Sequence, residues 1–458
     1  MMLISEAAAA LNVAYNGPDA LITSVGADSR RIVPGQLFVA LKGDKFNGHD
    51  FALAAIQQGA TAVLVCQPVA NVSPAIVVED TYQALGQLAA YWRSKFSMPI
   101  AGITGSSGKT TVKEMLASIL RTSTSAEAVL ATQGNLNNHI GLPMTLLKLS
   151  AQHRYAVIEM GMNHSGEIAY LTGLTKPNVA LVNNAGSAHL GELGSLEAIA
   201  RAKGEIFSGL ADDGIAVING DDVFAPLWRT LIGSRKTISF GLEKPADVTA
   251  AYTLQADGSI LEIQTPKGNC RVDLLAPGLH NVMNALAASS AALAMGVEIH
   301  AIANGLENYS GVKGRLQSLP GLNQALVIDD TYNANPISMR AAIDVLRGKS
   351  GKKILVLGDM GELGEDALAL HAEIGEYAKA SNVNALYTLG NHSQAMSQAF
   401  GEGAQHYAKV EDLTVDLAKE MQPGSTVLVK GSRFMAMERV VKEIVIPNIA
   451  EKNNGGEH

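Results

Sequence analysis

Ile100-Ala101-Gly102-Ile103-Thr104 runs directly into Gly105-Ser106-Ser107-Gly108-Lys109-Thr110-Thr111. A short apolar run, a turn of small residues and then a helical pattern form the arrangement from which the fold is read. Glycines let the backbone turn so that several N–H groups point at phosphate oxygens. The helix that begins near Lys109 adds the positive end of its dipole. In that frame Lys109 neutralises β/γ-phosphates and the Thr110 hydroxyl is placed to ligate Mg²⁺. The full G-x-x-x-x-G-K-[ST] pattern is not met, because Ile103 stands where its first glycine belongs. An ordinary glycine-rich strand-to-helix turn is the alternative, and the strand before and helix after favour phosphate binding.

Outward from this loop, short β-rich runs alternate with alanine- and leucine-rich helical stretches. Strands are expected at 61–65, 75–79, 100–104, 155–159, 179–183, 215–219, 326–330, 354–358 and 426–430, and helices at 81–96, 109–121, 196–210 and 338–346. Such alternation predicts an α/β protein with parallel sheets covered by helices on both faces. Residues 240–272 read instead as alternating strands, an antiparallel extension. At 458 residues and about 150 per domain, roughly three domains are expected. Ser97-Met98-Pro99 and Gly311-Val312-Lys313-Gly314 supply the boundaries, giving units 1–97, 98–313 and 314–458, and the second boundary has the glycines of a hinge.

Apolar residues make up 47% and charged residues 17%, against a usual charged share of about 25%, which excludes a disordered chain. The net charge of −8 argues against non-specific nucleic-acid binding. Cys66 and Cys270, far apart, do not suggest a disulfide framework or a zinc site. The start of the chain has no basic segment and carries Glu6, unlike a signal peptide. The longest apolar stretch, 285–297, is too short to span a bilayer. A soluble protein of a reducing compartment, the cytoplasm, is expected.

Four further places carry chemistry-bearing residues. Glu159 ends an apolar strand, and in open parallel sheets ligands collect at the carboxyl ends of strands; the alternative is a loop carboxylate. His189 follows the next strand and reads either as a metal ligand or as a structural histidine. With Thr110 these two would make part of a shell for Mg²⁺ or Mn²⁺. Lys203, in a helical stretch, reads by itself as a solvated lysine. Asp330-Thr331-Tyr332-Asn333-Ala334-Asn335-Pro336 crowds polar groups at another strand end, with Pro336 in the first turn of the next helix.

The order of these motifs resembles the Mur ligase family over essentially the whole chain. The resemblance rests on Gln133 to Pro143, Glu159-Met160-Gly161-Met162-Asn163, Ala202-Lys203-Gly204-Glu205-Ile206, Gly278-Leu279-His280-Asn281, Gly314-Arg315, Asp330 to Pro336 and Leu357-Gly358-Asp359-Met360. It implies a three-domain ATP-dependent amide-bond ligase with a central P-loop-type parallel sheet and a C-terminal Rossmann-like domain. Gly105, Ser106, Ser107, Gly108, Lys109, Thr110 and Thr111 would then cradle ATP. Thr110, Glu159, His189 and Lys203 would serve the magnesium site, Lys203 being the lysine that several members carbamylate. His280, Asn281, Arg315 and Asp330 would reach the nucleotide. Asn137, Asn138, Tyr332, Asn333 and Asn335 would line the substrate cleft.

The first domain resembles the family's UDP-binding module through Asp28-Ser29-Arg30 and 35–50, which implies that Ser29 and Arg30 hold UDP. Within the family the motifs imply addition of D-alanyl-D-alanine to UDP-N-acetylmuramoyl-tripeptide through an acyl phosphate, by a monomer. The Asp-Asn-Pro-Arg motif of the diaminopimelate-adding branch is missing. A folate polyglutamylating ligase of the same family, and a P-loop ATPase without ligase activity, are the rival readings.

Overall fold

The computed structural model describes residues 1–44, 46–186 and 190–446. Three parallel or mainly parallel sheets follow one another along the chain. The first is small, with strands in the order Ser24–Gly26, Gln36–Val39, Ala62–Val65, Ala75–Val77. The central sheet has six parallel strands in the order Val129–Ala131, Tyr155–Glu159, Ile100–Thr104, Val179–Val182, Ile215–Asn219, Lys236–Phe240. Its two middle strands, Ile100–Thr104 and Val179–Val182, are buried along their whole length, as strands covered on both faces must be.

The helix Lys109–Ser123 covers one face of the central sheet together with Leu279–Ala294. This second helix contains most of the longest apolar stretch, and it lies in the core. Among the described residues no helix is long and apolar enough to cross a membrane. The region expected to alternate is a three-stranded antiparallel sheet, Thr249–Leu254, Ser259–Thr265 and Gly268–Leu274.

On the other face, one apolar cluster joins the first unit to the second. Leu85 and Leu88 of helix Thr81–Ser94 pack with Leu142, Leu146, Ile168 and Leu171. The third sheet runs Gln317–Pro320, Leu326–Asp330, Thr426–Lys430, Lys353–Gly358, Ala385–Leu389, Ala404–Tyr407, with only the first strand antiparallel. The chain leaves Leu326–Asp330, skips a position to Lys353–Gly358, and later returns Thr426–Lys430 between them. The carboxyl ends of these three strands therefore border the switch point where α/β sheets bind ligands.

Several expected elements close early or late. The helix predicted over 196–210 is an α-helix only to Gly204 and continues as a 3₁₀ turn, Glu205–Gly209. The strands Val129–Ala131 and Ala404–Tyr407 were not expected at all; they lie at sheet edges, where short runs carry little periodicity.

Candidate active site

The phosphate-loop candidate leaves the central strand Ile100–Thr104, whose neighbours are Tyr155–Glu159 on one side and Val179–Val182 on the other. Register places Glu159 beside Ile103, next to the start of the loop. Gly108 has φ of +79°, and a Cβ there would lie 2.4 Å from Asn284 Oδ1 and 2.6 Å from Asn183 Nδ2. Both the backbone conformation and the space require glycine.

Those two asparagines belong to a brace around the loop. Asn183 Nδ2 donates to Ser107 O at 3.0 Å and to Asn284 Oδ1 at 3.1 Å. Asn184 donates to Ser107 O and accepts from Ser107 N. Asn284 donates in turn to Asn281, which is itself fixed on Pro277 O. The sequence reading did not single out Asn183, Asn184 or Asn284 for this role. The signal available was three residues' spacing from Asn281 to Asn284 on one helix face.

Lys109 Nζ donates to Gly105 O at 2.6 Å. Burial holds its ammonium below the usual lysine range, against the pull of the Glu159 carboxylate. Thr110 Oγ1 donates to Glu159 Oε2 at 2.9 Å, and Asn137 Nδ2 donates to Glu159 Oε1 at 2.8 Å. Lys203, expected to be solvated, is 1% exposed. The helix face that carries it packs inward, which periodicity over nine residues did not reveal. Burial, reinforced by the Lys109 charge, pushes its amine well below the usual range.

The third unit closes this arrangement. Arg315 Nη2 donates to Thr110 Oγ1 at 3.0 Å, and its guanidinium stacks 4.3 Å from the Tyr332 ring centroid. Arg315 Nε is buried and finds no hydrogen-bond partner among the described residues. Asn335 caps the helix Pro336–Arg347 with Oδ1 and reaches Ser107 Oγ with Nδ2 at 3.2 Å. Asp330 pairs with Lys430 at 2.7 Å, both nearly enclosed, and Lys430 also donates to Asn333 O. His280 lies near enough to feel Asp330, yet burial takes its imidazole down to about 4.

A cleft of about 1390 Å³ joins these groups. Its wall includes Ser106, Ser107, Gly108, Lys109, Thr111, Asn137, Asn138, Glu159, His280, Asn281, Arg315, Asp330, Tyr332, Asn333 and Asn335. Gly105, Thr110 and Lys203 are not part of that wall. His189 lies outside the described residues. Ser29 and Arg30 are not brought to the cleft: Arg30 is exposed and makes a two-point pair with Asp28 at 2.9 Å. Among the described residues no group of three His, Cys, Asp or Glu side chains could hold a metal. Thr110 and Glu159 nevertheless offer hard oxygen donors, the set a magnesium ion shares with substrate phosphates.

Three family models match the chain: the catalytic domain of the Mur ligase family over residues 21–93, the Mur ligase middle domain over 103–292, and the Mur ligase glutamate ligase domain over 314–433. The chain belongs to the Mur ligase family. This Mur ligase is 44% identical over 445 residues to the UDP-N-acetylmuramoyl-tripeptide–D-alanyl-D-alanine ligase of Escherichia coli K12, covering 96% of this chain and 98% of that one. Its fold matches MurF from Acinetobacter baumannii with a TM-score of 0.90 at 38% identity, over 95% and 97% of the two chains. It also matches the MurF ligase of Thermotoga maritima in complex with ADP, with a TM-score of 0.82 at 30% identity, over 92% and 97%.

Proposed function

We propose that this Mur ligase uses ATP to join D-alanyl-D-alanine to UDP-N-acetylmuramoyl-tripeptide, yielding the pentapeptide, ADP and phosphate for peptidoglycan synthesis. The structural observation that carries the reading is Arg315, from the third unit, meeting Thr110 at the phosphate loop of the second. A buried guanidinium nitrogen with no hydrogen-bond partner among the described residues, beside a loop of N–H groups, suits a phosphate anion. The relatives' names supply the two substrates.

A carboxylate is a poor acyl donor, because its leaving group would be oxide. Attack of its oxygen on the γ-phosphorus of ATP expels ADP and gives an acyl phosphate. The dipeptide amine then attacks the acyl carbon, and phosphate departs with the original carboxylate oxygen. Both steps crowd negative charge, so positioning and electrostatics supply most of the catalysis. Lys109 and Arg315 would hold the γ-phosphoryl. Thr110 and Glu159 would hold magnesium, which when bound offsets phosphate charge. His189 would serve a second ion, and Lys203, whose amine burial pushes well below the usual lysine range, would take up CO₂ with loss of a proton to become a carbamate ligand.

His280, Asn281 and Asp330 would contact the nucleoside. Tyr332, Asn333 and Asn335, with Asn137 and Asn138, would line the path of the peptide substrates. Residues 1–97 would bind the UDP moiety through Ser29 and Arg30, and residues 314–458 would close over ATP and carry the dipeptide. Closure keeps water from the acyl phosphate. The enzyme would act as a cytoplasmic monomer.

The test is phosphate release from ATP with UDP-N-acetylmuramoyl-tripeptide, with and without D-alanyl-D-alanine. Release that needs both substrates, with a product heavier by the dipeptide, is expected. Release from ATP unaffected by either would mark an ATPase and overturn the reading.

A further inference from the structure

Lys113 lies one helical turn beyond Lys109 on the helix Lys109–Ser123, a spacing that puts both on one face. Its side chain is 1% exposed, on a helix whose Val112, Met115 and Leu116 are also buried. A buried ammonium is costly unless its protons are used. Here Nζ donates to Thr132 O at 2.6 Å and pairs with Glu114 Oε1 at 2.8 Å.

Thr132 is where the edge strand Val129–Ala131 ends, and its hydrogen bonds depart from a regular ladder. Thr132 N donates to Val157 O at 3.0 Å, as parallel pairing requires. The next rung would run from Glu159 N to Thr132 O. Instead Glu159 N donates to Thr132 Oγ1 at 3.0 Å, and the carbonyl is given to Lys113. The hydroxyl has replaced the carbonyl at the residue whose carboxylate meets Thr110. The loop that begins here also carries Asn137, which donates to the other oxygen of Glu159.

We infer that Lys113 is a positioning residue for the Thr110–Glu159 end of the site. By drawing the Thr132 carbonyl to the phosphate-loop helix, it sets where Glu159 stands against Thr110. Helix and strand end are thereby fixed to each other independently of the third unit. The inference rests on the proposed use of Thr110 and Glu159 for magnesium.

The test is calorimetric titration of ADP into the full chain, with and without Mg²⁺. Wild type is expected to bind ADP more tightly with Mg²⁺. Lys113→Met keeps the length and apolar packing of the stem but loses the donor. Loss of an outer partner typically lowers metal affinity about 10–100-fold, so the Mg²⁺ advantage is expected to shrink about tenfold or more while metal-free ADP affinity stays. A purely structural lysine would lower the thermal midpoint and leave that advantage intact, which would overturn the inference. If Lys113→Met does not fold, Thr132→Val removes the hydroxyl end of the same path and must reduce the advantage likewise; an unchanged advantage would overturn it. No Mg²⁺ advantage in wild type would remove the magnesium reading itself, and this inference with it.

Discussion

The phosphate loop and the Asp28–Arg30 turn both present cationic side chains that family resemblance assigns to anionic ligands, but they are built in opposite ways. Around the loop, Lys109 is tied to Gly105, Ser107 is held by Asn183, Asn184 and Asn335, and Thr110 sits between Glu159 and Arg315. These contacts come from three distant stretches of chain. At the turn, Arg30 is exposed and finds its partner two residues away, in Asp28. Chemistry on phosphate needs charges fixed before the reaction, because reorganising them at the barrier costs rate. Holding a substrate's distant end needs only affinity, which an exposed arginine can supply by exchanging one partner for another.

If that contrast is right, substitutions in the two regions must fail differently. The largest effect is expected from Lys109→Ala, with kcat lower by about 10³-fold, the scale seen when a charge-stabilising donor is lost, and unchanged affinity for the UDP substrate. Steady-state phosphate release and direct titration check the two halves. Next comes Gly314→Pro. Gly314 has φ of +71°, and its carbonyl accepts Tyr332 N, so proline, locked near −65°, would misdirect Arg315. Turnover should drop about 10²-fold, the cost of a small misplacement, while UDP-substrate binding stays nearly intact; equal loss of both would sink the hinge.

A smaller effect is expected from Arg30→Ala, which should raise KM for the UDP substrate about tenfold with kcat nearly unchanged, the pattern of lost uniform binding. Its melting temperature should not move, since an exposed ion pair contributes little. A fall in kcat instead would erase the distinction between the regions.

The smallest effect concerns pH. Burial lowers the His280 imidazole from 6.5 to about 4. Between those values the unfolded chain binds the proton and the folded one does not, so this group's contribution to stability is lost as pH falls from about 6.5 to about 4. His280→Gln should flatten that part of the stability profile, measured by denaturant midpoints across pH, and leave the region above 7 unchanged.

The same contrast explains what was legible in the sequence. The loop could be read because its chemistry fixes neighbouring residues: glycine at a positive φ, then lysine and threonine in the first helical turn. The strands Ile100–Thr104, Tyr155–Glu159 and Leu326–Asp330 were legible from continuous apolar runs ending in polar groups. Lys203 was misread because nine helical residues do not say which face is covered. The brace of Asn183, Asn184 and Asn284 left only the Asn281–Asn284 spacing as a signal, because Asn284 meets the Asn183-Asn184 pair through packing of separate elements. Ser29 and Arg30 came from resemblance alone, as nothing in an exposed turn dictates their identity.

The most direct test of the central claim follows the oxygen. UDP-N-acetylmuramoyl-tripeptide labelled with ¹⁸O in its terminal carboxylate would be converted with ATP and D-alanyl-D-alanine, and the released phosphate analysed by mass. Activation by phosphoryl transfer predicts one ¹⁸O in each phosphate formed with product. Phosphate free of label, with product still made, would contradict it.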